Sequence, residues 1–278
     1  MRMSDAVTGE KVVLSYPSRT AVAESTFSIP SGKVTVVIGP NGSGKSTLLS
    51  AIAGLITPTS GTLDVAARND DARRISYVMQ ATKVNDALPV TVREVVTMGR
   101  YTTAGRYGRL DDDDRSAVAE AMQRTGIVDL GDRHLNQLSG GQRQRVFVAQ
   151  GLAQDHDLLL LDEPLTGIDL PTAQAIDAVI HDELHRGCTV ILTTHDLSEA
   201  RVADHVVLLA GRVVAAGPPE EVLTAEHLNE AYGPALLHLG DEEVFIEDHA
   251  HMNTDSHHRH RERTIHTEHD PVDLHADD

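Results

Sequence analysis

The chain has 278 residues, enough for one large α/β domain, or a domain with a smaller lobe, around a sizeable core. It carries 42 Asp and Glu against 24 Lys and Arg, a formal charge of −18, with no Trp and three Phe, so it offers neither a basic footprint nor a stacking surface for nucleic acid. No apolar stretch approaches the ~20 residues needed to cross a bilayer, and residues 1–10 lack an apolar signal region, so a cytosolic protein is expected.

From Val12 to about Gln80, strands are predicted to alternate with one helix. Residues 33–38 read as a buried strand, residues 46–55 as a helix, and polar residues 66–74 as a loop between strands. Between that strand and helix lies Gly39-Pro40-Asn41-Gly42-Ser43-Gly44-Lys45-Ser46-Thr47, which fits the phosphate-binding pattern G-x-x-x-x-G-K-[ST]. Glycines let backbone N–H groups turn inward around phosphate oxygens, and the helix N-terminus adds a favourable dipole. Lys45 is then expected to reach the β- and γ-phosphates of ATP, and the Ser46 hydroxyl to sit on Mg²⁺.

Residues 91–137 change to a helical pattern, with one helix at 92–98 and another at 112–125, the second opened by a run of aspartates. Residues 81–90, ahead of them, are placed to form a coupling surface. Leu138-Ser139-Gly140-Gly141-Gln142 follows, and by itself its Ser-Gly-Gly turn with Gln142 reads as a plain helix entry. Leu158-Leu159-Leu160-Leu161 reads as a strand buried on both faces, whose carboxyl end delivers Asp162 and Glu163. Taken alone, these two acids equally fit a solvated turn or a helix cap before Pro164. With a phosphate loop upstream, Asp162 is expected to hold Mg²⁺, directly or through water, and Glu163 to polarise the attacking water.

Beyond this point, Pro171 marks a helix start and Gly187 its end. A strand at 189–192 follows, and a hairpin turns at 210–212. Cys188, the sole cysteine, excludes an internal disulfide and predicts a small buried thiol. His181 and His185, at i and i+4, have metal-ligand spacing, but Asp182 stands where a zinc-protease helix needs Glu, so an ordinary solvated face is expected.

The segment 233–278 is different. It holds nine of the 16 histidines and twelve Asp and Glu against three Arg, which is half of the net charge. That composition cannot bury a core and predicts disorder. Neutral imidazoles among carboxylates suit weak, exchangeable Zn²⁺ binding, for which His249, His251, His257, His258 and His260 are candidates; a merely solubilising tail is the alternative.

In the order in which they occur, these motifs resemble the ATP-binding subunit of ABC transporters over roughly residues 11–232. The Leu138–Gln142 run is the specific element, since the phosphate loop alone admits many NTPases. The resemblance implies an α/β fold: a P-loop NTPase core with a parallel sheet, an antiparallel β part near Tyr16, a helical lobe at about 91–137, and the separate tail from 233. It further implies that Tyr16 stacks on adenine, that Gln80 senses Mg²⁺ and the membrane partner, and that Ser139 and Gly141, with Gly140 and Gln142, meet the γ-phosphate bound to a partner subunit. Asp169 would cross the dimer interface and His195 would contact the γ-phosphate.

A head-to-tail homodimer closing over two MgATP is therefore expected to drive a separate integral membrane permease at the inner face of the membrane, served indirectly by an extracytoplasmic substrate-binding protein. Residues 88–100 are similar to the ATPases of zinc or manganese importers, and also to those for ferric siderophores, haem and cobalamin. The histidine-rich tail favours zinc, then manganese. A soluble ABC ATPase acting in DNA repair or translation is the rival of another class, opposed by the single cassette, the lack of a long coiled-coil insertion and the acidic surface.

Overall fold

The computed structural model describes residues 5–69, 74–80, 89–102, 110–233, 236–238 and 244–246. In chain order the elements are β1 (Asp5–Tyr16), β2 (Arg19–Pro30), β3 (Val34–Ile38), α1 (Lys45–Ile52), β4 (Ser60–Val65), α2 (Ala66–Asn69) and β5 (Ile75–Val78). Then come α3 (Val92–Met98), α4 (Asp112–Arg124), α5 (Gly140–Leu152), β6 (Leu158–Leu161), α6 (Leu170–His185), β7 (Thr189–Thr194), α7 (Leu197–Arg201) and β8 (His205–Leu209). The last are β9 (Val213–Gly217), α8 (Pro219–Val222), α9 (Ala225–Tyr232), β10 (Leu236–His238) and β11 (Val244–Ile246).

Six strands form the central sheet in the order β5-β6-β7-β3-β8-β9. The first five run parallel, and β9 returns antiparallel from β8 through the turn at Ala210–Arg212. Because side chains alternate across a strand, each central strand feeds two cores. Val36, Ile38, Leu159, Leu161, Val190 and Leu192 face one side, with α5 and α6. Val37, Leu158, Leu160 and Ile191 face the other, with α1 and a second, antiparallel sheet of order β2-β1-β4. All four leucines of β6 are fully buried, each contributing about 1.5–3 kcal/mol.

The helical stretch owes its boundaries to local chemistry. Thr91 caps α3 and Asp111 caps α4, each in a reciprocal capping box with Glu94 and Asp114. Asp114 also accepts from Arg100 Nε at 2.7 Å, and the same guanidinium donates to Ala153 O and Asp155, tying α4 to the end of α5. Val92, Val95, Val96, Val118, Met122, Val146 and Ala149 bury the faces of α3, α4 and α5 together.

Three details differ from the sequence reading. The first helix ends at Ile52 rather than Leu55. Part of the polar stretch at 66–74 is the short helix α2, because Arg68 Nε and Nη2 donate to Ile52 O at the carboxyl end of α1 and Ala67 is buried. The segment from 233, expected to be largely disordered, contains a short antiparallel pair, in which Leu236-Leu237 meets Phe245-Ile246, two apolar runs that the overall polarity hides. Residues 247–278, with the candidate tail ligands from His249 to His260, lie outside the described residues, as do 81–88 of the expected coupling surface.

Candidate active site

Parallel pairing brings the carboxyl ends of β3, β5, β6 and β7 to one edge of the sheet, where ligands bind in open α/β folds. The phosphate-loop residues follow β3, Gln80 follows β5, Asp162 and Glu163 follow β6, and His195 follows β7. Residues distant in sequence thus converge by topology alone.

In the loop, Ser43 N donates to Pro40 O at 3.1 Å and Leu48 N to Gly44 O at 2.8 Å, closing the turn into α1. Gly44 has φ +105°, and a Cβ there would stand 2.8 Å from Ala21 O of β2, so only glycine fits. No side chain caps α1, which leaves its first N–H groups for an anion. Ser43 Oγ is buried and has no hydrogen-bond partner among the described residues. Lys45 is buried, and its Nζ donates to Gly39 O at 2.9 Å and Pro40 O at 3.4 Å. Burial pushes the Lys45 amine below its usual range, opposed by the charges of Glu163 and Asp162. An uncapped helix start, an orphaned hydroxyl and a desolvated amine together fit a polyphosphate.

The acidic pair is built from its neighbours. Asp162 N donates to Val78 O, fixing the strand end. Thr193 Oγ1 donates to Asp162 Oδ1 at 2.7 Å and accepts from Glu163 N at 2.8 Å. Gln80 Nε2 donates to Glu163 Oε2 at 2.9 Å, and the other oxygen, Oε1, lies 3.9 Å from Lys45 Nζ. Glu163 adopts φ +49°, a strained conformation costing roughly 1–3 kcal/mol, of the kind that functional sites hold. Beside them is the Tyr77 hydroxyl. Burial, offset in part by Ser50 and reinforced by Asp162, pushes it up to about 12.

Lys45, Gln80, Asp162 and Glu163 therefore meet in one constellation. Ser46, Asn41 and Gly42 are exposed at its mouth, Tyr16 is half-exposed with its hydroxyl 3.4 Å from Thr47 Oγ1, and His195 is exposed just past β7. A second group gathers at the start of α5. Ser139 Oγ accepts from Gln142 N, Gln142 Oε1 accepts from Ser139 N, and a Cβ on Gly141 would lie 3.0 Å from Asp169 Oδ1. Asp169 begins α6 without capping it. Sequence reasoning missed Thr193 and Tyr77. Thr193 is one of three buried threonines in β7, and only the pairing of β7 with β6 sets it apart.

A family model described as ABC transporter matches residues 22–166. The zinc transport system ATP-binding protein TroB of Treponema pallidum is 39% identical over 231 residues, covering 82% of this chain and 87% of that protein. The ferric enterobactin transport ATP-binding protein FepC of Escherichia coli is 40% identical over 246 residues, covering 84% and 89%. Among solved structures, a dimeric ATP-binding cassette in a post-hydrolysis state with ADP and Pi matches with a TM-score of 0.65 and 27% identity, over 77% of this chain and 98% of that one.

Proposed function

The chain belongs to the ABC transporter family, and from that premise we propose that it is the ATP-hydrolysing subunit of an importer for a divalent metal ion, zinc first and manganese second. The observation that carries the ATPase reading is the placement of the Glu163 carboxylate, 3.9 Å from Lys45 Nζ at the phosphate loop and held by Gln80.

In this reading the loop from Gly39 to Thr47 wraps the phosphates and Lys45 leaves Gly39 O and Pro40 O for their oxygens. Mg²⁺ fits a donor set of Ser46, Asp162 and Gln80, where it would offset charge on the phosphates. Glu163 orients a water for attack on the γ-phosphorus, and ADP leaves as the P–O bond breaks. Tyr16 stacks on adenine, and His195 contacts the γ-phosphate from the end of β7. Ser139, Gly140, Gly141 and Gln142 complete the site of a second copy, with Asp169 at the interface; the dimeric cassette among similar structures supports that assembly.

Among the described residues no helix is long and apolar enough to cross a membrane. In this reading the energy is delivered to a separate permease at the cytoplasmic face, with an extracytoplasmic binding protein upstream. Zinc is favoured by the zinc-named relative and by the histidines of 233–278, which we assign to auxiliary Zn²⁺ binding. The equally similar ferric enterobactin subunit supports a second reading, iron–siderophore import. Uptake of radiolabelled Zn²⁺, Mn²⁺ and ferric siderophore by cells with and without this chain separates them. Loss of siderophore uptake alone would overturn the zinc assignment.

A further inference from the structure

A second cluster of reactive side chains lies at the opposite, amino-terminal edge of the same strands. His156 precedes β6 by two residues, Cys188 immediately precedes β7, and Glu183 is in the last turn of α6. Gly187, with φ +82°, reverses the chain after α6 so that Cys188 N donates to Glu183 O at 3.0 Å, folding the thiol back beside the carboxylate. Thr189 N donates to Asp157 O, locking the two strand starts together. His156 Nδ1 faces Gln154 O at 2.7 Å and its Nε2 faces Glu183 Oε2 at 2.9 Å. One ligand atom from each of His156, Glu183 and Cys188 lies within 4.8 Å of the others. The three side chains are nearly inaccessible, yet they line a cavity of about 420 Å³ together with Arg100, Glu120 and Asp155.

We propose that His156, Glu183 and Cys188 form a divalent-cation site that takes Zn²⁺, with its fourth position open to the cavity. Imidazole, thiolate and carboxylate are the three ligand types zinc accepts, and three protein ligands with one open place is a known zinc arrangement. Supporting contacts are already in place. Gln154 O accepts from Nδ1–H, fixing the tautomer that presents Nε2, and Glu183 Oε1 stays with Arg124 Nη2 at 2.5 Å while Oε2 turns to the metal. On binding, Zn–N, Zn–S and Zn–O bonds form, and the protons on Sγ and between Nε2 and Oε2 pass to solvent. Without a cation, burial and the nearby Glu183 charge push the thiol well above its usual range, so it rests protonated. The six residues from His156 to Asp162 put this site roughly 20 Å along the strand from the phosphate edge, and it shares no ligand with it.

Cys188 is the sole cysteine, so a thiolate-to-Co²⁺ charge-transfer band can report this site in the full chain whatever the tail histidines bind. Metal-free protein titrated with Co²⁺ is expected to develop that band to saturation at one ion per chain, and Zn²⁺ to bleach it. Cys188→Ser should abolish the band, and His156→Ala or Glu183→Gln should weaken the band-forming affinity by about tenfold or more. Retained ATP hydrolysis shows that each variant is folded. If a variant fails to fold, the parent chain still decides: a folded parent that develops no band carries only a buried ion pair here, and the proposal is overturned. A band whose affinity is unmoved by both His156→Ala and Glu183→Gln equally overturns the assigned ligands.

Discussion

The Thr193 hydroxyl donates to Asp162 Oδ1 at 2.7 Å while accepting the backbone N–H of Glu163, so one buried side chain sets both members of the acidic pair. Thr193→Val keeps the shape but leaves the part-buried Glu163 N–H unpaired and the buried Asp162 carboxylate short of a partner, at a cost of about 1–3 kcal/mol. The expected outcome is a lower melting temperature and a fall in kcat of about tenfold, with ATP affinity changed far less. Thr193→Ser restores the hydroxyl and should recover most of kcat. Parental turnover in Thr193→Val would remove Thr193 from the positioning of Glu163.

Glu163 itself carries the sharper expectation. Glu163→Gln preserves volume and one acceptor oxygen but removes the charge that orients water, so steady-state hydrolysis should fall by roughly 100-fold or more while MgATP still binds. Slow hydrolysis should also trap an ATP-dependent dimer, visible as a doubled mass in light scattering. Hydrolysis at the parental rate would show that another group orients the water.

How much of this was legible beforehand depended on whether the signal was local. The phosphate loop and the strand at 158–161 announce themselves through glycine spacing and an unbroken apolar run, while the helix at 140–152 came with the resemblance carried by Leu138–Gln142, and the structure adds the Ser139–Gln142 capping box that opens it. α2 and the β10–β11 pair did not, because Arg68 finds its carbonyl acceptor 16 residues upstream and Leu236 finds its strand partner, Ile246, ten residues on. Thr193 became visible only once β7 lay beside β6. Glu183 misled for the same reason. Between His181 and His185 it reads as part of a solvated face, yet it is buried against Arg124 and His156, two groups far away in sequence.

The separation of the two site halves within one chain yields a complementation test. A Lys45→Ala chain lacks the phosphate-loop amine, and a Ser139→Ala chain lacks the hydroxyl offered to a partner. Each alone should be nearly inactive. In a mixed dimer, one site takes both lesions and the other takes neither, so activity should return to as much as about half the parental rate per dimer, less where cooperation between sites is required. ATPase assays across mixing ratios check this, and mixtures no more active than their components would argue against shared sites.

Acid sensitivity should follow the Arg100–Asp114 pair. Hydrogen bonding from Arg100, then from the Asp111 backbone, holds the Asp114 carboxyl below its ordinary value of 3.8. A depressed carboxyl contributes stability fully above its unfolded pKa and loses it as pH falls through the lower folded value. The parent should therefore lose stability below about pH 4 through this pair. Asp114→Asn should be less stable near neutrality, with a shallower decline in acid. Denaturant titrations at stepped pH test this, and parallel declines for the two proteins would assign the acid limb to other groups.

The last prediction separates the tail from the cluster at Cys188. Nine histidines follow Gly233, and a chain ending after Ile246 keeps only His238 of them. It retains the unit that contains every element of the ATPase fold. Imidazole binds metal only when neutral, so Zn²⁺ uptake by the full chain should be strong near pH 7.5 and decline through the histidine range around pH 6.5. Truncation should remove most of that uptake in calorimetry while leaving hydrolysis intact. The thiolate-to-Co²⁺ band should persist in the shortened chain, because none of its ligands lies in the removed segment. Equal Zn²⁺ uptake by the two chains would withdraw the metal-binding role of the tail, and with it a principal reason for preferring zinc to a ferric siderophore as cargo.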